Sequence, residues 1–282
     1  MRTVVDSYQN LLISLESLAS TNPHLWQERA DKNRDIFGED AVILLTLREP
    51  LSYLKSVYQQ TIHQGMVRPP HEFFCSSEEY KRLESLVAKS KLELYDIEKL
   101  DYNWLINLYR DRFKNVIVVT PKHLKSLKFI QNLYNLSNED YTSLKLKADS
   151  AKIANKSYSS SAMRLTFIRE RILKKFGVTT LALNNLHARD RELLLLNDQK
   201  GFIALKPELA QGLLTKFYNL VNWRWLMQNG LPRLIPYKPY KLPEDIKMPE
   251  ELYLSCITVL EQEEKKLDDI IYTNAELLKG YL

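Results

Sequence analysis

Residues Ala41 to Leu47 read AVILLTL, and this run, broken only by one Thr, constrains the fold more than any other stretch of the chain. Without polar alternation it predicts a strand covered on both faces, as in a parallel sheet. Arg48, Glu49 and Pro50 end it. A second run, Asn115 to Thr120 (NVIVVT), stops at Pro121, and a shorter one, Leu11 to Ser14, closes on Glu16. Between the two longer runs the pattern predicts helices over Pro50 to about Gln64, Ser77 to about Ser90 and Glu98 to about Phe113. Pro50 suits a first helical turn and Gly65 a C-cap. Strand, helices, strand is the crossover that joins parallel neighbours in an α/β sheet.

Beyond residue 120 the pattern is mostly helical, over Ser126 to Leu136, Ser160 to Phe176, Arg189 to Asn197 and Pro207 to Asn229. Pro232, Pro236, Pro239 and Pro243 break it, and Met248 to Leu282 is a last amphipathic, charged helical stretch. The prolines predict one domain over residues 1–243 and a helical tail over 244–282, serving as a packing arm or as a homo-oligomer helix. Glycine is scarce, with 7 residues where average usage would give about 20. That argues against a turn-rich all-β fold and leaves few candidates for a glycine-rich phosphate loop.

Lys plus Arg minus Asp plus Glu is 40 − 35 = +5, which suits an anionic ligand without requiring nucleic acid. Cys75 and Cys256, the two cysteines, build neither a disulfide framework nor a four-ligand zinc site, and fit a reducing cytoplasm. No apolar run is long enough to span a membrane, and Met1 to Asn10 lacks the apolar stretch of a signal peptide.

The chemistry concentrates after the first long run. Arg48 falls at the carboxyl end of the strand, where open α/β sheets bind ligands, and the next helix points its first amides at the same crevice. Ser52 and Ser56 lie one helical turn apart on one face, so a hydroxyl can join a guanidinium around a phosphate. A charged hydrogen bond of that kind contributes about 1.5 to 3 kcal/mol. The plainer reading of the same residues is a surface ion pair between Arg48 and Glu49 and an ordinary helical Ser56. His24, His63, His71, His123 and His187 show no metal spacing and read as surface or packing residues, while Trp223 and Trp225 read as core. Gly177, in KFGVTT, follows an amphipathic helix and so reads as a C-cap and not as a phosphate loop.

The stretch AVILLTLREPLSYLKSVYQQTIHQG resembles the 3′-phosphate-binding segment of sulfotransferases that use 3′-phosphoadenosine 5′-phosphosulfate (PAPS). In that family an apolar strand ends in Arg, and a Ser follows eight residues later on a helix; Arg48 and Ser56 stand at those positions. Upstream, YQNLLISLESLAS resembles the ISxE strand end of the bacterial type. Downstream, LDYNWLINLYRDRFKNVIVVTPKHLKSLKFIQNLYNLS resembles the family's helix, strand and helix, and IANKSYSSSAMRL is similar to its Asn-x-Ser loop. The likeness covers about residues 8–165 and is weaker near Phe217 to Leu226.

The resemblance implies an α/β fold with a P-loop-like, three-layer parallel sheet, followed by a helical C-terminal half and tail. It implies transfer of a sulfuryl group from PAPS to a hydroxyl of a small molecule or carbohydrate, without a metal. Glu16 would be the base, Arg48 and Ser56 would hold the 3′-phosphate, and Asn155, Lys156 and Ser157 would touch the nucleotide. Two departures stand out. Pro121-Lys122-His123 replaces the Tyr-Glu that members often carry after the strand. The 5′-phosphosulfate loop, basic and glycine-containing, is expected ahead of Glu16, yet none of the fifteen residues there is glycine. The expectation is therefore an N-terminally incomplete family fold that binds nucleotide but transfers weakly alone; the alternative is a nonenzymatic remnant acting as a nucleotide-binding or protein-interaction module.

Overall fold

The computed structural model describes residues 19–63, 65–82, 94–151, 157–175 and 223–273. A 3-10 turn, Pro23–Leu25, leads into helix α1 (Trp26–Phe37). Strand β1 (Val42–Thr46) follows, then α2 (Pro50–His63), the single turn α3 (Pro70–Phe73), and the two-residue strands β2 (Phe74–Cys75) and β3 (Tyr95–Asp96). Helix α4 (Tyr102–Arg110) precedes β4 (Asn115–Val119). Then come α5 (Pro121–Ser126), α6 (Lys128–Leu133), α7 (Asn138–Ser150), α8 (Ser160–Lys175) and α9 (Glu250–Thr273).

Strand β1 pairs with β4 in parallel, Val42 opposite Asn115 and Thr46 opposite Val119, and β2 pairs with β3 in parallel. The described residues thus form a mixed α/β structure, mostly helical, with short parallel strands. The missing polar alternation in β1 and β4 has a direct cause. Ile43, Leu45, Val116 and Val118 point into the main core with Trp26, Leu54, Tyr58 and Tyr109. Val42, Leu44, Ile117 and Val119 point the other way, into a second core with Phe129, Leu133, Leu267 and Ile271. Both faces of the pair meet apolar side chains, so both registers of residue are apolar.

Helix α2 begins at Pro50, whose fixed φ and missing N–H suit a first turn. It ends in the C-cap that Gly65 makes available: Gly65 has φ 99, its N–H reaches the Ile62 carbonyl at 3.1 Å, and the Met66 N–H reaches Thr61 at 3.2 Å. Those two bonds form a Schellman motif, and the left-handed conformation explains the glycine.

Other boundaries differ from expectation. Helix α4 starts at Tyr102 and not at Glu98, because Asp101 caps it by accepting from the Trp104 N–H at 3.1 Å, while Ile97–Lys99 forms a 3-10 turn ahead of it. The helix expected over Ser126 to Leu136 is divided between α5 and α6 by Leu127, which takes a left-handed φ of 56. Trp225 is 51% exposed and not core, whereas Trp223 is partly buried against Arg169, whose guanidinium lies 4.3 Å over its ring. Leu11 to Ser14, Arg189 to Asn197 and Gly177 lie outside the described residues, as does most of Pro207 to Asn229.

Helix α9 packs on α4, β4, α6 and α2. It buries Cys256, Leu267 and Ile271, and Glu263 takes a two-pronged bond from Arg110 at 3.1 and 2.6 Å. No helix among the described residues is long and apolar enough to cross a membrane.

Candidate functional site

The ladder between β1 and β4 continues one step past Thr46, where the Leu47 N–H donates to Val119 at 2.9 Å. Arg48 follows at the carboxyl end of the pair and is exposed. Its main chain is held from α4: the Tyr102 hydroxyl, on a ring only 2% exposed, donates to the Arg48 carbonyl at 2.7 Å. Burial pushes the Tyr53 phenol up to about 12, against opposing pulls from the neighbouring Tyr95 hydroxyl and from the Arg48 charge. Burial likewise raises Tyr102, and Arg48 again opposes it. Both phenols near the end of β1 therefore stay neutral at physiological pH.

Glu49 does not pair with Arg48. Its carboxylate turns onto the start of α2, accepting from the Leu51 N–H at 2.9 Å and from the Ser52 N–H at 2.6 Å. A carboxylate on these two amides satisfies two of the three donors left open at this helix start, Pro50 having none, and complements the positive end of the dipole. The anion facing the first turn of α2 is thus supplied by the chain itself. Those two amides are therefore not open to an external anion. Among the described residues Arg48 makes no ion pair.

Ser52 lines a cleft of about 640 Å³ beside α2, together with Glu49, Lys55, Tyr240, Lys241 and Lys247. Arg48 and Ser56 are outside that lining, and Ser56 is partly buried one turn further along. Tyr158, next to the residues predicted to touch the nucleotide, meets the same helix. Gln59, three residues past Ser56 and so about 4.5 Å along the axis, donates to the Tyr158 carbonyl at 2.9 Å. Its neighbour Ser157 is exposed. Glu16, Asn155 and Lys156 lie outside the described residues.

Sequence reasoning missed Lys55, Lys241 and Lys247. The prolines read as a boundary, but past the 3-10 turn Leu231–Arg233 Pro236, Pro239 and Pro243 also keep the chain out of a helix, which lets Tyr240 and its lysines form a wall across from α2. His123, read as a surface or packing residue, is a packing one and is 2% exposed. Its Nδ1 accepts from the Thr120 N–H at 3.1 Å, which leaves the proton on Nε2 to be donated to Asp268 at 3.2 Å. Asp268 also accepts from Lys122 at 2.7 Å. At the carboxyl end of β4 this cluster clamps α9 to the sheet.

Burial raises both thiols, Cys75 to about 12 and Cys256 to about 11, with acidic neighbours adding to each. Such thiols stay protonated at neutral pH and are poor nucleophiles. Among the described residues no group of three or more His, Cys, Asp or Glu side chains is placed to hold a metal ion. No protein-family model, curated protein or solved structure matches the chain.

Proposed function

We propose that the chain is a PAPS-dependent sulfotransferase-like protein in which Arg48 and Ser56 hold the 3′-phosphate of the nucleotide. The carrying observation is the parallel β1–β4 pair, which delivers an exposed Arg48, without an ion pair among the described residues, at its carboxyl end and passes directly into the serine-bearing helix α2. Ligands of open α/β sheets lie at that edge. The approach of the 157–159 segment to α2 through Gln59 supports the same location.

In this reading β1 and β4 belong to a P-loop-like, three-layer parallel sheet, and the protein works in the cytoplasm with both cysteines reduced. The residues fit one end of the nucleotide. Arg48 presents a planar fork to the 3′-phosphate, Ser56 adds a hydroxyl, and Ser157, with Asn155 and Lys156, lies against the nucleoside. PAPS supplies the activated sulfuryl group when bound. Glu16 takes the proton of the acceptor hydroxyl, a carbohydrate or other small alcohol, as a general base.

A second reading has one observation in its favour. The Glu49 carboxylate occupies two amides of the first turn of α2 and adds a negative charge next to the phosphate position. That suits a nonenzymatic module that binds nucleotide weakly or binds another partner.

Calorimetric titration of adenosine 3′,5′-bisphosphate tests the assignment. Arg48→Ala removes a charged hydrogen bond of about 1.5 to 3 kcal/mol, or roughly ten- to a hundredfold in affinity. Arg48→Lys recovers part of it, since a point charge lacks the fork. Equal affinities for wild type and Arg48→Ala remove the assignment. Nucleotide binding without PAPS-dependent transfer to any hydroxyl acceptor selects the module.

A further inference from the structure

We propose that the cleft between α8 and the extended segment 238–241 is a second binding site, for a small dianionic molecule with an apolar or planar body. The cleft, open to solvent, measures about 830 Å³, and its lining carries Arg164, Arg171, Lys238 and Lys241 but no acidic side chain. All four cations are exposed, and among the described residues none of them is engaged in an ion pair. Four like charges around one concavity repel one another in the empty cleft, and an anion relieves that repulsion.

The spacing selects the shape of the ligand. Arg164 and Arg171 are seven residues apart on one helix, two turns and about 10 Å along its axis. Between them Phe167 and Ile168 present apolar surface on the same face. A cation, an apolar floor and a second cation match a molecule with two anionic groups separated by a hydrophobic or aromatic middle.

The opposite wall is held in place. Ser159 and Pro239 form an antiparallel bridge, the Ser160 N–H donates to the Lys238 carbonyl at 2.9 Å, and the Ser160 hydroxyl donates to Pro239 at 3.0 Å. These bonds spend the first polar groups of α8 on the segment, so the ligand contacts are side-chain cations and not helix amides. A wall fixed in this way makes the cleft preformed, and its volume lies within the usual range for small-molecule sites.

The cleft adjoins the one beside α2, with Tyr240 and Lys241 in both walls, while Arg48 and Ser56 line neither. The probe is bis-ANS, an apolar binaphthyl bearing two sulfonates, titrated by calorimetry into the full chain. The double variant Arg164→Ala, Arg171→Ala is expected to bind it at least tenfold more weakly. A control with the same charge loss at exposed sites elsewhere, Lys125→Ala with Lys147→Ala, is expected to bind as wild type does. Saturating adenosine 3′,5′-bisphosphate is expected to leave bis-ANS affinity unchanged, and Arg48→Ala likewise. Equal weakening in both double variants, or none in the first, overturns the site. Displacement of the probe by the nucleotide overturns its separateness. Sedimentation with phosphatidylglycerol vesicles that is lost in the cleft variant replaces the small ligand by a membrane surface.

Discussion

The hydroxyl of Tyr102 donates to the main-chain carbonyl of Arg48 at 2.7 Å, so α4 fixes the residue at the end of β1. Tyr102→Phe keeps the buried ring and removes only this bond. The expected cost is about 1 kcal/mol in urea denaturation, together with weaker binding of adenosine 3′,5′-bisphosphate, because the Arg48 main chain is then less constrained. An unchanged urea midpoint and an unchanged affinity contradict the positioning role.

Glu49 separates helix capping from ligand binding. Glu49→Ala leaves the Leu51 and Ser52 amides without their carboxylate and is expected to cost about 0.5 to 2 kcal/mol of stability. Glu49→Gln keeps an acceptor at the cap but removes a negative charge next to the Arg48 position. Bisphosphate should bind this variant more tightly, by up to about 1 kcal/mol. Weaker binding by Glu49→Gln would show that the carboxylate assists the ligand.

The clamp on α9 sets an acid limit to stability. Burial raises the Glu263 carboxyl, but the hydrogen bonds and charges of Arg110 and Lys266 outweigh it and hold the group below its ordinary 4.5. Asp268 is held below 3.8 in the same way, with burial opposed by Lys122 and His123. When a folded-state pKa is depressed, falling pH protonates the unfolded chain first. The contribution is therefore complete above the unfolded values near 4.5 and 3.8 and is lost as the pH drops through the folded ones. Urea midpoints should begin to fall near pH 6.5, where the unfolded chain protonates His63, whose imidazole is pushed down to about 4 by burial, and should fall more steeply below about pH 5 as the two carboxyls protonate. Glu263→Gln should flatten that fall and cost about 1 to 3 kcal/mol at pH 7, Arg110 being partly exposed. A midpoint that stays level down to pH 3 in the wild type contradicts the clamp.

The central strands were legible because a strand apolar on every residue has few other solutions, and the two cores on either side of β1 and β4 supply the reason. Pro50 and Gly65 were legible because each restricts or frees φ in a way only one helix position uses. The start of α4 was not, since Asp101 caps it within a pattern that looks continuous from Leu100 to Tyr109. Leu127 in a left-handed conformation was not, since leucine carries no signal for positive φ. At the site, Arg48 and the serines could be read from strand-end position and helical spacing. The turn of the Glu49 carboxylate onto α2 rather than toward Arg48 could not, because the same three residues permit either contact. Lys241 and Lys247 reach α2 only through the path of the proline segment, which no local pattern specifies.

The central claim, that Arg48 reads a 3′-phosphate, is tested most directly by phosphate discrimination. Wild type and Arg48→Ala are each titrated with adenosine 3′,5′-bisphosphate and with adenosine 5′-monophosphate, which differ only in the group that Arg48 is assigned to hold. The account predicts that wild type prefers the bisphosphate by at least tenfold, the equivalent of about 1.4 kcal/mol, and that Arg48→Ala binds the two nucleotides alike. A preference that survives intact in Arg48→Ala, or one that wild type never shows, contradicts it.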